Sequence, residues 1–211
     1  MAATKGKNIN PRVERKITRI SGVREVKQTF LIICEGVNTE PDYFNAFRLT
    51  SANVKAVGQG MGTLTLVQKA INIKEQEKRK GRIYNQNWVV FDKDDFPEND
   101  FNSAILLAQQ NGFEVAYSNQ AFEFWFLLHF NLYQGALHRS RYEKMLSTLL
   151  GFSYTKKSGV SSKMFNALFS KQEQAINHAK TIMKQFDGNN PAQQESSTTV
   201  YLLVEELNKF L

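Results

Sequence analysis

Three short apolar runs have the length and composition of buried β-strands: TFLIIC (29–34), WVVF (88–91) and FEVAY (113–117). A weaker fourth run is NVKAV (53–57). Their apolar positions are nearly continuous rather than alternating, which is typical of strands that are covered on both faces. The pattern therefore favours a parallel sheet with helices on either side.

Helical patterns lie between these runs. Pro41 can open a helix through DYFNAFRL (42–49), residues 63–80 repeat apolar positions at helical spacing, and NDFNSAILLAQQN (99–111) stops before Gly112. This alternation predicts an α/β fold: an open, mainly parallel sheet with right-handed crossovers and ligands at the carboxyl ends of its strands.

The chain reads as helical from about residue 120 onward. FEFWFLLHF (122–130) indicates an aromatic helix, and further helices are expected near 140–150, 170–186 and 198–210. Four aromatic residues of the first helix cannot all face inward, so we expect some to pack against the C-terminal helices; stacking of one on a nucleobase is the alternative. They are Phe122, Phe124, Trp125 and Phe126.

Charge divides the chain into an arm and a body. Of the net charge of +7, residues 1–27 supply +6, and the body is nearly neutral. We expect a basic, flexible arm followed by a single domain over 28–211, the arm being either a nucleic-acid contact or a solvated tail. The basic side chains assigned to a nucleic-acid contact in the arm are Arg12, Arg15, Lys16 and Arg19.

Several classes of protein are disfavoured. No apolar run suits a signal peptide or a membrane span, so we expect a cytoplasmic protein without a membrane partner. The single cysteine, Cys34, excludes an intramolecular disulfide framework and lies in an apolar run, which favours packing over nucleophilic chemistry. Lys156, Lys157 and Lys163 form a basic patch that suits either a nucleic-acid backbone or a solvated loop.

Acidic side chains follow three of the predicted strands, and we expect them to meet at one edge of the sheet. Like charges in this number are unfavourable unless they are protonated, paired or bound to cations, and hard oxygen ligands suit Mg²⁺, Mn²⁺ or Ca²⁺. Gly36 permits a sharp turn and the close approach of a metal or phosphate. The acidic residues are Glu35, Glu40, Asp92, Asp94, Asp95 and Glu123.

The Asp-x-Asp spacing has its own consequence. In an extended backbone, Asp92 and Asp94 point the same way and Asp95 turns aside. Aspartates after strands are also common helix caps, and Lys93 is either a phosphate contact or a local charge partner. Glu-Gly after one strand together with Asp-x-Asp after another is more specific than either alone, and it favours a metal site.

These motifs carry a resemblance. IICEG followed by FDKDD resembles the Toprim arrangement of topoisomerases, primases and overcoming-lysogenization-defect nucleases. The fuller set LIICEGVNTEPDYF, WVVFDKDDF, AYSNQAFEFWFLLHF and STTVYLLVEEL resembles the RloB family, Toprim-like proteins associated with restriction loci and bacterial anti-phage defence. The resemblance spans about residues 28–210 and departs from the family pattern at Gln120, where a proline is expected.

The resemblance implies a Toprim-like fold and a nuclease that cleaves DNA or RNA with one or two Mg²⁺ or Mn²⁺ ions. Glu35, Asp92 and Asp94 would be catalytic, with Glu40 as the second glutamate of nuclease members. Asp95 and Glu123 would be further metal ligands or orienting groups. An ABC-type ATPase partner is implied, and self-association is a further expectation.

Supporting roles are expected for Gly36, Asn119 and His129, the last being either a hydrogen-bonded structural histidine or a catalyst.

Two functions other than a nuclease remain open. One is a non-catalytic nucleic-acid-binding or sensor subunit of an ATPase-containing defence complex, and the other is a nucleotidyl-transfer enzyme.

Overall fold

The computed structural model describes residues 27–50, 52–60 and 62–211. The predicted arm therefore lies outside the described residues, apart from Lys27. Within the described part of the chain, none of the helices combines the length and apolar character that a membrane span requires.

The described residues form an α/β fold around a five-stranded sheet of order β2-β1-β3-β4-β5. The first four strands run parallel, and β5 pairs antiparallel with β4. All four predicted strands are confirmed. The strands are β1 (Gln28–Cys34), β2 (Ala52–Gly58), β3 (Gln86–Asp92), β4 (Glu114–Asn119) and β5 (Ser197–Thr198).

Eight α-helices are present in the described residues, and the C-terminal part is mainly helical, as predicted. They are α1 (Thr39–Asn45), α2 (Thr63–Arg79), α3 (Glu98–Gln110), α4 (Glu123–Leu128), α5 (Tyr142–Leu150), α6 (Ser162–Phe169), α7 (Gln172–Met183) and α8 (Val200–Asn208). Sequence patterning missed α6 and β5. The strand has only two residues, both polar, so it carries no apolar run that could mark it.

Alternate side chains of the central strands enter two separate cores. On β1, Phe30 and Ile32 pack with α1 and the C-terminal helices, whereas Leu31 and Ile33 pack with α2 and α3. Helices therefore cover both faces of the sheet, which explains the unbroken apolar runs in the sequence.

The expectation that α4 and its flanks could not bury all four aromatic side chains is wrong. Phe122, Phe124, Trp125 and Phe126 are each at most 1% exposed. The physical reason is that α4 contacts β4, α5 and α7 and so has protein around its whole circumference. None of these rings is available to stack on a base.

The strand order places a crevice between β1 and β3. The chain leaves β1 toward β2 on one side and later returns to β3 on the other side. In open α/β sheets such a switch point, at the carboxyl ends of the strands, is where ligands bind. Glu35 follows β1 directly and Asp92 ends β3, so both acidic motifs lie at this position.

Candidate metal and catalytic site

A cavity of about 250 Å³ opens at the carboxyl ends of β1 and β3. Five of the six acidic residues expected there line it: Glu35, Glu40, Asp92, Asp94 and Glu123. Asp95 does not; its side chain is 87% exposed and pairs with Arg139 outside the cavity. The structure thus brings together acidic residues from β1, α1, β3 and α4, as the sequence predicted.

Asp92 is the most deeply placed of these carboxylates. Its backbone N–H donates to Glu35 Oε2 at 3.0 Å, and its own Oδ2 accepts from the backbone N–H of Phe122 at 3.0 Å. The second oxygen, Oδ1, is buried and has no hydrogen-bond partner. A buried carboxylate oxygen without a donor is unfavourable unless a cation or a proton satisfies it.

Gly36 brings Glu40 against the turn that follows β1. The Gly36 N–H donates to Glu40 Oε1 at 3.0 Å, and a Cβ at position 36 would lie 2.1 Å from Glu40 Oε2. The glycine therefore lets a carboxylate that is only 6% exposed approach the backbone. Gly36 was expected to let a metal or a phosphate approach the backbone closely. In the structure, the group that makes this close approach is the Glu40 carboxylate.

The prediction that Asp92 and Asp94 share an extended backbone is wrong. The chain turns after β3, and Asp94 has a φ of 41° while its N–H donates to the carbonyl of Gln120 at 3.0 Å. Both side chains still line the cavity, because the turn folds Asp94 back over the strand end. Arg139 bridges Asp94 and Asp95 through separate guanidinium nitrogens.

Lys156 is a cavity residue that sequence reasoning left in a basic patch. Its Nζ lies 3.0 Å from Glu123 Oε2, and Tyr154 donates its hydroxyl to Glu123 Oε1 at 2.9 Å. Lys156 precedes α6 on a loop far from the strand ends in sequence, so no local spacing could have placed it here. It is the only cationic side chain among the described residues that line the cavity.

Crowding and burial oppose ionisation of the carboxylates. Burial raises the pKa of Glu35 to about 7; the hydrogen bond from the Asp92 N–H opposes this rise, and the Asp94 and Glu40 carboxylates add to it. Burial and then the charge of Glu40 raise the pKa of Asp92 well above its usual range. Burial also raises the pKa of Glu40. A bound cation would reverse these effects by favouring the charged forms.

Lys156 shows the opposite balance. Burial alone would lower its pKa, but the carboxylates of Glu123, Asp92 and Asp94 together outweigh burial and raise it. Lys156 therefore stays charged beside the acidic side chains and offsets part of their repulsion.

Three other predicted residues lie away from the cavity lining. Lys93 donates from Nζ to the carbonyl of Phe96, and Asn119 donates to the carbonyl of Ala192 at 2.9 Å. His129 is fully buried, and its Nδ1 lies 2.9 Å from the carbonyl of Trp125. The His129 contact matches its structural alternative, whereas Lys93 pairs with a backbone carbonyl and forms no salt bridge with a described carboxylate. The arm residues Arg12, Arg15, Lys16 and Arg19 lie outside the described residues.

The carboxylate oxygens of the cavity are of the chemical type that binds a hard divalent cation. Glu35, Glu40 and Asp92 accept hydrogen bonds only from backbone amides, and none of the three forms a salt bridge within the described part of the chain. Carboxylate oxygens are the ligands that Mg²⁺ and Mn²⁺ prefer. As the side chains stand, no three Asp, Glu, His or Cys residues of the described ranges are arranged to hold an ion, so ligation requires these carboxylates to turn toward it.

The fold and the cavity define an α/β protein with an acidic site at the switch point of its sheet. The chain belongs to the RloB-like protein family, whose model matches residues 30–207. No curated protein and no solved structure matches this chain. The matched range contains all five strands, apart from the first two residues of β1, and all five acidic residues of the cavity.

Proposed function

We propose that this protein is a metal-dependent nuclease that cleaves DNA or RNA in bacterial defence against phage. The observation that carries the proposal is the unpartnered Oδ1 of Asp92, buried in a cavity whose other walls carry Glu35 and Glu40. The resemblance to Toprim nucleases adds the reaction class, and the association of RloB-like proteins with restriction loci adds the defence role.

Each side chain has a stated part. Glu35, Glu40 and Asp92 would hold one or two Mg²⁺ or Mn²⁺ ions, with Asp94 and Glu123 joining if they leave Arg139 and Lys156. Such an ion supplies activation of water and charge stabilisation at the leaving oxygen. Burial raises the pKa of Glu35 to about 7 in the metal-free protein, and a bound ion would lower this pKa and keep Glu35 in its charged, ligating form. Lys156, which lines the cavity, would contact a phosphate that enters it.

The test is cleavage by the purified protein of labelled plasmid, single-stranded DNA and tRNA in EDTA, Mg²⁺ or Mn²⁺. We expect metal-dependent cleavage that falls on the order of a hundredfold or more in Asp92→Asn and in Glu35→Gln, since both remove charge from the metal ligands. The matched control is Glu75→Gln on the exposed side of α2, which should cleave like the unmodified protein.

Thermal unfolding gives a second readout that needs no substrate. Saturating Mn²⁺ should raise Tm by several degrees in the unmodified protein and in Glu75→Gln, but not in Asp92→Asn, because ligand binding stabilises the folded state by mass action. Metal-independent nucleic-acid binding without cleavage would instead support a sensor subunit, and joining of strands would support nucleotidyl transfer. An ATPase partner, self-association and a cytoplasmic location remain parts of the proposal.

A further inference from the structure

The positive charge of the described domain is concentrated beside the acidic cavity. Residues 138–163 hold six basic side chains and one acidic side chain, Glu143, for a net charge of +5. Residues 28–137 and 164–211 together hold 13 basic and 17 acidic side chains. The near-neutral total therefore conceals one basic segment in an otherwise acidic domain. The basic residues are Arg139, Arg141, Lys144, Lys156, Lys157 and Lys163.

A groove of about 490 Å³ runs along α5 in this segment. Arg141, Lys144, Met145, Thr148 and Leu149 recur at helical spacing and so form one face of the helix. Arg141 and Lys144 are exposed, and neither forms a salt bridge with any residue that the structure describes. The face thus combines two free cations with an apolar floor.

Tyr133 closes the other side of the groove. Its ring is partly buried, and its hydroxyl accepts from Asn131 Nδ2 at 3.2 Å. An aromatic wall, an aliphatic floor and flanking cations are the features with which proteins hold an unpaired nucleobase and its phosphates. In a duplex the faces of the bases are already stacked, so the apolar floor would have nothing to contact.

The groove begins where the cavity ends. Arg139 binds Asp94, which lines the cavity, and the next two residues of the same 3-10 helix, Ser140 and Arg141, line the groove. On the far side, the Lys156 N–H donates to Glu143 of α5 at 3.4 Å while its Nζ reaches Glu123. Arg139 and Lys156 therefore connect the segment that contains α5 to the cavity residues Asp94 and Glu123.

We infer that the groove between Tyr133 and α5 is a binding site for single-stranded nucleic acid, with one base held on Tyr133, Met145 and Leu149. Arg141 and Lys144 contact the flanking phosphates, and the strand continues past Arg139 into the acidic cavity. The direction of the strand rests on the proposed function. The binding site itself does not, since it can be tested without cleavage.

The experiment measures the binding of fluorescent 15-mers to the full chain by anisotropy in EDTA, with single-stranded DNA, single-stranded RNA, duplex DNA and an abasic phosphodiester strand as probes. We expect the unmodified protein to bind the single strands more tightly than the duplex or the abasic strand. Tyr133→Leu, which keeps an apolar side chain in place, should weaken single-strand binding about tenfold and leave the abasic strand unchanged.

Charge substitutions test the phosphate contacts separately. Arg141→Gln with Lys144→Gln should weaken binding of every strand and reduce the slope of log affinity against log salt by about 1.4 for single strands. The matched control, Lys69→Gln with Arg79→Gln on the exposed side of α2, removes one lysine and one arginine from a helix of the other core and should change neither quantity.

Three outcomes would overturn the inference: equal affinity for the abasic strand, equal losses in the groove and control variants, or no effect of Tyr133→Leu. The two proposals can fail separately. Groove-dependent binding without cleavage in any metal would contradict the nuclease and leave the groove supported. Cleavage that is unchanged in groove variants with weakened binding would leave the nuclease supported and contradict the path of the strand from the groove into the cavity. Comparison of the DNA and RNA probes identifies which single strand is preferred.

Discussion

At the cavity, single side chains adopt arrangements that are unfavourable for stability but suit the proposed function. Asp92 holds the N–H of Phe122 through one oxygen and leaves the other without a donor, an arrangement that is unfavourable in the absence of a cation. The clustering of Glu35 with Asp92 was predictable, because each follows an apolar run that predicts a strand. The pairing of Lys156 with Glu123 was not, because the two residues meet only through the tertiary fold.

His129 is a buried titratable residue that the proposed chemistry does not use. Burial lowers the pKa of His129 to about 4, below its ordinary value of 6.5, so between these values the unfolded chain binds a proton that the folded chain excludes. The free energy of unfolding should therefore fall as the pH drops from 6.5 to 4, and this group should contribute roughly 2–3 kcal/mol of the loss. Above pH 6.5 its contribution is fully present.

Urea unfolding at pH 7 and pH 4.5 measures this contribution. His129→Phe, which keeps a ring against Trp125, should lose less stability between the two pH values than the unmodified protein. His138→Gln, at an exposed position, is the control and should behave like the unmodified protein. Equal losses in all three proteins would refute the assignment.

At the scale of elements, the four parallel strands were predictable and the antiparallel edge strand β5 was not. Runs such as WVVF are marked by apolar side chains that two helix layers bury. The short strand β5 is specified instead by hydrogen bonds to a distant partner. Thr198 Oγ1 donates to the carbonyl of Tyr117 at 3.0 Å, and Thr199 Oγ1 accepts from the Tyr117 N–H at 2.9 Å.

Thr199 should therefore matter to stability through β4. Thr199→Val keeps the shape of the side chain but leaves the buried Tyr117 N–H without an acceptor, which should cost about 1–3 kcal/mol. Thr181→Val, at an exposed position of α7, removes a hydroxyl of the same kind and should change stability by less than about 0.5 kcal/mol. Urea unfolding of both variants is the measurement, and similar values for the two would contradict the role given to β5.

At the scale of the whole molecule, positive charge is concentrated in two regions, the arm and the segment that contains the groove. The arm of residues 1–27 and the segment 138–163 supply more positive charge than the entire chain retains, because the rest is acidic. Composition revealed the first of these two regions. Of the second, the sequence indicated only the basic patch of Lys156, Lys157 and Lys163, because the position of α5 beside the cavity depends on the tertiary fold.

The arm should add affinity without selectivity. Changing Arg12, Arg15, Lys16 and Arg19 to glutamine should weaken binding to single strands and duplex alike. For single strands the salt slope should fall by up to about 3, because fewer counterions are released. Anisotropy titrations between 50 and 200 mM salt, about the range over which such contacts are lost, give the slope. The control changes four exposed basic residues outside the arm to glutamine: Lys69, Lys78, Arg79 and Lys184. An equal fall of the salt slope in this control would contradict a specific contribution of the arm to binding.

The late position of Lys156 in the chain bears on how the protein is made. A growing polypeptide leaves the ribosome with Glu35 and Asp92 before α4, Lys156 and β5 have been synthesised, and domains generally fold as units. Until those segments arrive, the acidic residues lack both the wall that encloses them and the ammonium group that offsets their charge. In the proposed nuclease, this order of synthesis would delay assembly of the complete site until the C-terminal segments have been made.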